Sequence, residues 1–150
     1  MAYLGLIIGI LVLDQVTKYM AETQLSAMNT YPLWENIFHL TYSRNTGAAF
    51  SILRNKQTLL IGITLVVMVF LSVYLYKSVQ SQEPWMLNLA LAMILGGGIG
   101  NLIDRVRLNY VIDFFDFTLI NYPIFNIADC FIVIGTVVLG YLLIFSDIKI

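Results

Sequence analysis

The sequence predicts an all-α membrane protein with four transmembrane helices, a small extramembrane β element between the first and second, and a short interfacial segment between the third and fourth. Three observations carry this reading. Of 150 residues, 59% are hydrophobic and only 11% charged, where soluble domains run near half apolar and a quarter charged. Four apolar runs, about 2–20, 58–76, 85–103 and 122–145, each approach the roughly 20 residues that a helix needs to cross about 30 Å of hydrocarbon. In lipid a continuous segment must satisfy its own backbone polar groups, which makes such runs helices. The polar residues, finally, crowd into the run 96–129, at the junction of the third and fourth segments.

The whole chain, 1–150, reads as a single integral membrane domain. A formal net charge of −1 with no basic run argues against a nucleic-acid partner. Cys130, the only cysteine, has no internal disulfide partner and reads as a small buried side chain. The first apolar run lacks a basic stretch before it and a small-x-small cleavage site after it, so it is expected to be a retained helix.

The first helix is apolar until Asp14, with Lys18 one turn later on the same face. The pair is either a boundary ion pair with Lys18 reaching outward or a brace for a polar site. The connection that follows is too long for a hairpin. Its residues from Glu35 to Ser43 alternate, with Phe38, Leu40 and Tyr42 on one face and Ile37, His39 and Thr41 on the other, as a half-buried strand does. The β element is expected over about 31–50, with Tyr31, Trp34 and Tyr42 at the membrane interface. His39 is the only histidine and has no neighbouring ligand residues, so it is expected on the strand surface, and neither a metal nor another cofactor is expected. In Asn45-Thr46-Gly47-Ala48-Ala49-Phe50 the small residues serve either close packing or the docking of an extended peptide.

The second helix is uniformly apolar and reads as scaffold, and the polar link 78–84 makes it an antiparallel neighbour of the third. In the third, Gly96, Gly97, Gly98 and Gly100 include a Gly-x-x-x-Gly spacing, which serves either helix packing or a groove open to a substrate backbone. Asn101 and Arg105 share a face just beyond. The segment VIDFFDFTLI suits a strand or an extended lining, in which Asp113 and Asp116 point to opposite faces. The fourth helix is expected to place Pro123 near its first position, Asn126 and Asp129 on one face, and Asp129 about two turns inside the span.

Two carboxyls within hydrogen-bonding reach cannot both ionise cheaply, so one keeps a proton while its partner stays charged, giving an acid and a base in one place. Such a pair can activate water and support a developing oxyanion. No zinc-binding His-Glu-x-x-His, nucleophile elbow, P-loop or dinucleotide fingerprint is present, which sets those chemistries aside. Composition and spacing still leave hydrolysis and transport open. The rivals are a small proton-coupled transporter using Asp129 and a non-catalytic scaffold built on the glycine-rich helix.

Five ordered motifs resolve this choice by resemblance: Asp14-Gln15-Val16-Thr17-Lys18, Asn45 through Phe50, Gly97 through Arg105, Val111-Ile112-Asp113-Phe114 and Phe125-Asn126-Ile127-Ala128-Asp129. Together they closely resemble the bacterial lipoprotein signal peptidase family, signal peptidase II, over nearly the whole chain. The resemblance implies an intramembrane aspartyl endopeptidase that removes signal peptides from diacylglyceryl-modified prolipoproteins by cutting just before the lipidated cysteine. It implies Asp113 and Asp129 as the catalytic pair and leaves Asp116 as the spare. Asp14, Lys18, Asn45, Gly47, Gly97, Asn101, Arg105 and Asn126 match family positions that brace the site or contact substrate or the inhibitor globomycin. It further implies a β-cradle outside the membrane, a monomer surrounded by membrane lipid, and a multi-pass place in the bacterial inner or cytoplasmic membrane with the active site toward the extracytoplasmic face. The flanking charges point the other way: Lys18, Arg44, Arg54, Lys56, Arg105 and Arg107 follow the first and third helices, against Lys77 and Lys149 on the opposite side, and cytoplasmic loops usually hold the excess. Lys18 and Arg105 belong to site motifs, which favours the family topology.

Overall fold

The computed structural model describes residues 1–47, 53 and 55–145. Along the chain run α1 (Ala2–Leu25), β1 (Thr30–Trp34), β2 (Phe38–Asn45), α2 (Gln57–Gln80), α3 (Trp85–Leu108), β3 (Val111–Asp116) and α4 (Ile127–Phe145). The four helices are each long and apolar enough to cross a membrane. The expected Ala48, Ala49 and Phe50 of the peptide-docking stretch lie outside the described residues.

Helix α3 is the axis of the bundle. In its most apolar stretch 61% of residues are buried, against 17–22% in the other three helices. Leu87, Ala90, Leu91 and Ala92 are wholly buried, whereas α2 turns Val66 and Phe70 outward, as a helix facing lipid can without penalty. The glycines explain the close approach. A Cβ on Gly97 would strike the carbonyl oxygen of Ala128 and come within 2.8 Å of Ile132 Cγ1, both on α4. One on Gly96 would press on Ile10, and one on Gly100 would come within 2.6 Å of Asp14 Oδ2, both on α1. One on Gly98 would meet the thioether of Met68 on α2. The glycine run therefore seats three helices, the packing alternative of the two that the sequence left open, because the neighbouring helices fill the space.

The chain leaves α3 at Asn109, whose left-handed backbone (φ 63°) lets its N–H close on Arg105 O and turns the chain into β3. There it joins an antiparallel sheet of order β1-β2-β3, with Asn45 opposite Val111 and Ser43 opposite Asp113. The sheet is thus shared between the two extramembrane connections. Leu40 and Tyr42, on the same side of β2, pack on Ala21, Leu25, Ile112 and Phe114, as the alternation predicts. His39 is half-buried on β2.

Helix α4 begins later than expected, at Ile127. Pro123 lies before it, and Phe125 bridges Phe115 of β3 instead of entering the helix. Asn126 caps the helix: its Oδ1 accepts from Asp129 N (3.0 Å) while Asp129 Oδ2 accepts from Asn126 N (3.2 Å). This reciprocal pair is a capping box. Asp129 consequently sits in the first turn, not two turns deep.

Glycine replacements on α3 should separate by what each Cβ meets. Gly97→Ala drives into backbone and should cost about 1–3 kcal/mol in thermal unfolding in detergent, as overpacking does. Gly98→Ala meets only the mobile end of Met68 and should cost less; equal losses would refute this account of the packing.

Candidate active site

Lys18 organises the floor of the site. Its Nζ lies 2.9 Å from Asp14 Oδ2 and 3.0 Å from Asp104 Oδ2, and it donates to Asn101 Oδ1 at 2.9 Å. With Asp14 0% and Lys18 2% exposed, the pair is a brace and not an outward-reaching boundary pair. Each carboxylate has a second task. Asp14 Oδ1 accepts from Ala128 N at 3.0 Å, and Asp104 Oδ2 accepts from Ile112 N at 3.2 Å. Ala128 and Ile112 immediately precede Asp129 and Asp113. Gln15 ties the two carboxylates together, donating to Asp104 Oδ1 (3.1 Å) and Asp14 Oδ2 (3.2 Å).

Above this floor three asparagines orient the candidate pair. Asn101 Nδ2 donates to Asp129 Oδ1 at 2.8 Å. Asn126 Nδ2 donates to Asp113 Oδ1 at 2.6 Å and also reaches Asn101 Oδ1 (3.2 Å) and Ile112 O (3.3 Å). Asn45 Nδ2 donates to Asp113 Oδ2 at 2.9 Å, its own Oδ1 accepting from Gly47 N. Arg105 Nη2 donates to Gly47 O at 3.2 Å, joining α3 to the end of the sheet. Gly97 acts from below, by letting the first turn of α4 close on α3.

Asp113 and Asp129 line one cavity of about 210 Å³ with Asn45, Asn101 and Arg105, closed by apolar groups of α4 and the segment before it. Asn126 is 0% exposed and does not line this cavity; its amide is spent on Asp113, Asp129 and Asn101. It therefore orients the carboxyls. Asp116 accepts from Thr41 Oγ1 at 2.7 Å, away from the cavity.

Burial, followed by the nearby Asp129 carboxylate, pushes the Asp113 carboxyl up from the usual aspartate range to about 7. The amides of Asn45 and Asn126 and the charge of Lys18 oppose this rise. A carboxyl that keeps its proton near neutrality beside a second carboxyl is suited to hydrogen-bond an oxyanion while its neighbour serves as base. Among the described residues no cluster of three or more His, Cys, Asp or Glu side chains is placed to hold a metal.

Sequence reasoning gave no role to Asp104 or Gln15. The signal was available for Asp104, which stands three residues after Asn101 and so shares its helix face. What was missing was its partner, since Ile112 lies on another element.

A family model described as signal peptidase (SPase) II matches residues 6–145. The chain is 52% identical over 135 residues to a lipoprotein signal peptidase of Caldanaerobacter subterraneus subsp. tengcongensis, covering 89% of this chain and 90% of the relative. It is 41% identical over 150 residues to that of Clostridioides difficile, covering 99% of both. A solved structure of a bacterial membrane enzyme superposes with a TM-score of 0.86 at 27% identity, covering 99% of this chain and 94% of the other.

Removing one partner of a buried ion cluster leaves the rest uncompensated and typically costs about 3–5 kcal/mol. Lys18→Met should lose that much stability in denaturant titration in detergent, while Asp116→Asn should lose no more than about 1 kcal/mol, the worth of one ordinary hydrogen bond. The raised Asp113 makes stability depend on pH. An unfolded aspartate titrates near 3.9, so between about 4 and 7 the unfolded chain gives up its proton first and stability falls as pH rises, levelling off above about 7. Asp113→Asn should abolish that fall in thermal scans; an unaltered profile would show that it originates elsewhere.

Proposed function

We propose, since the chain belongs to the signal peptidase II family, that it is an intramembrane aspartyl endopeptidase in which Asp113 and Asp129 are the catalytic pair. Family membership makes it a peptidase of a bacterial membrane, which displaces the transporter and scaffold readings. The observation that carries the aspartyl assignment is a single cavity bearing both carboxyls, one of them held near neutrality.

In this reading the substrate is a diacylglyceryl-modified prolipoprotein, whose peptide lies extended in the cavity with the bond before the lipidated cysteine over the pair. Asp129, oriented by Asn101 and by the Asn126 backbone, takes a proton from water as the water oxygen bonds to the peptide carbonyl carbon. Protonated Asp113 hydrogen-bonds the carbonyl oxygen as charge builds there. Collapse of the tetrahedral intermediate breaks the C–N bond, and the proton taken by Asp129 passes to the departing amine of the cysteine. The signal peptide leaves with a new carboxylate. Arg105 limits negative charge around the pair, and Asn45 keeps Asp113 aimed at the cavity. Asp14, Lys18 and Gly97 set the elements in place, while Gly47 ties the sheet end to Arg105.

A bundle with its site at the membrane edge suits such a substrate. Withdrawing acyl chains from the bilayer would cost about 0.8 kcal/mol per methylene, so the peptidase meets its substrate in place. On the same reading the chain is one membrane domain, works as a monomer, takes globomycin in the substrate cavity and faces it to the extracytoplasmic side. The engagement of Lys18 and Arg105 within the site supports this topology, because charges so committed are not free to act as cytoplasmic flanks. Arg54 and Lys149 lie outside the described residues.

Purified protein in detergent should cleave a diacylglyceryl-modified prolipoprotein, with Asp113→Asn and Asp129→Asn inactive and Asp116→Asn retaining most activity at matched folding. Full activity in either of the first two would refute the pair. The rate should also fall as pH rises through about 7, where Asp113 loses the proton it donates; a flat profile from 6 to 8, a span chosen to bracket that value, would assign the donor elsewhere.

A further inference from the structure

Asn45 reaches Asp113 through an amide whose two ends are not equivalent. Its Nδ2 donates to Asp113 Oδ2 at 2.9 Å, and its Oδ1 accepts from Gly47 N at 2.9 Å. Turned over, the amide would set its oxygen against Asp113, which would then spend its proton on Asn45 instead of on the cavity. The Gly47 N–H forbids that turn, because it can pair only with the oxygen end.

The Gly47 N–H is itself held from the far side. It shares one planar trans peptide unit with the Thr46 carbonyl, so the two point in opposite directions and fixing one fixes the other. Thr46 is the first residue beyond β2, and its carbonyl accepts from Gln57 Nε2 at 2.6 Å and from Asn55 N at 3.0 Å. Gln57 opens α2, so the first turn of a largely apolar helix grips the end of the sheet. The Gln57 Oε1 is buried and has no partner among the described residues. A buried amide left half satisfied costs free energy, and turning it over would set two oxygens face to face at Thr46. The amide is kept for what its nitrogen does.

We infer that Gln57 is a positioning residue for the reaction: by holding the Thr46–Gly47 peptide it keeps the nitrogen of the Asn45 amide toward Asp113, and so leaves the Asp113 proton to the substrate carbonyl. The inference rests on the reading of Asp113 as the acid of the pair. The groups form one aligned chain, from Gln57 Nε2 to Thr46 O, from Gly47 N to Asn45 Oδ1 and from Asn45 Nδ2 to Asp113 Oδ2, and each bond in such a chain polarises the next. Gln57 does not line the cavity and acts through Asn45. The Asn45 amide opposes the rise of Asp113, so a slackened chain lets Asp113 keep its proton to higher pH. Because Asn55 N–H still holds Thr46 O when Gln57 is removed, the loss is a reduction in rate and not abolition.

The test is a cycle of Gln57→Met, Asn45→Ala and the double variant, purified in detergent and assayed at matched folding. Gln57→Met keeps the length of the side chain and loses its donor. It should lower kcat about tenfold, within what misplacing a reacting group costs, and leave KM within about twofold because it meets no substrate. Added to Asn45→Ala it should cost nothing further, since residues of one chain are not additive. An unchanged kcat, a loss confined to KM, or a loss that adds in full would overturn the inference. Gln57→Glu supplies a conditional rescue, because an ionised Glu has no donor for Thr46 O and a protonated one does. Its rate relative to wild type should climb as pH falls from about 7 toward the ordinary glutamate value near 4.3; a constant ratio would count against the chain. Infrared titration of the Asp113 carboxyl, its band assigned with Asp113→Asn, reads the chain without any cleavage. The midpoint should move to higher pH in Gln57→Met, and an unmoved midpoint would also overturn the inference. If wild-type protein cleaves no prolipoprotein, or Asp113→Asn cleaves at full rate, the reading of the pair fails, while the infrared midpoint still decides whether Gln57 governs Asp113.

Discussion

One lysine holds the site together. Lys18 brings Asp14 of α1 and Asp104 of α3 to within 3.0 Å of its ammonium, and those carboxylates, Asp14 through its other oxygen and Asp104 through the same one, accept from the backbone N–H groups of Ala128 and Ile112. Each of these N–H groups belongs to the residue immediately before a member of the candidate pair. A single buried charge thus sets the position of two aspartates that are far apart in sequence and lie on different kinds of element, a strand and a helix. Burying a lysine and two carboxylates is expensive, and replacing such clusters by apolar groups is often neutral or stabilising elsewhere. Its presence here is better understood as positioning than as stability.

The cluster can form only because α3 lets its neighbours in. Gly100 admits Asp14, and Gly97 admits the carbonyl of Ala128 and with it the first turn of α4. A side chain at either position would move the braces or the helix they hold. Between helices in lipid there is little hydrophobic gain from burial itself, so close backbone approach and internal polar contacts carry the association. The glycine run and the ion cluster are therefore two parts of one device. The first brings the backbones together, and the second fixes their register.

The sheet completes the enclosure from outside the bundle. β3 carries Asp113 beside β2, whose last residue, Asn45, donates to it, and Arg105 anchors the Gly47 carbonyl just beyond. Asp113 is consequently buried, and that burial is the first cause of its raised affinity for a proton. Its protonation near neutrality follows from the enclosure. An aspartate on an exposed strand would have water to stabilise its charge and would be a poor hydrogen-bond donor near neutrality.

The four apolar segments, their helical state and the crowding of polar groups near the third and fourth were legible because lipid imposes a length and a composition that any reader can count. The alternation around Leu40 and Tyr42 was legible for the same reason, as a strand with one buried face shows a period of two. The start of α4 was misjudged because Pro123 is an attractive helix opener taken alone. The stronger signal was the Asn126 and Asp129 spacing of a capping box. β1 falls within the β element expected over about 31–50, but its turn was not legible, because the left-handed Asn36 is a turn signal only once the strands it joins are known. The five motifs pointed to the family that the chain belongs to, but not to the contacts that their residues make. That Asp104 reaches Ile112 and that Asn126 turns inward to Asp113 are matters of pairing between elements, which local spacing cannot encode. Sequence by itself determined which residues were too polar for the membrane to tolerate without a purpose; only the tertiary structure decided which backbone group each one holds, because those partners come from other helices and strands that meet only in the folded chain.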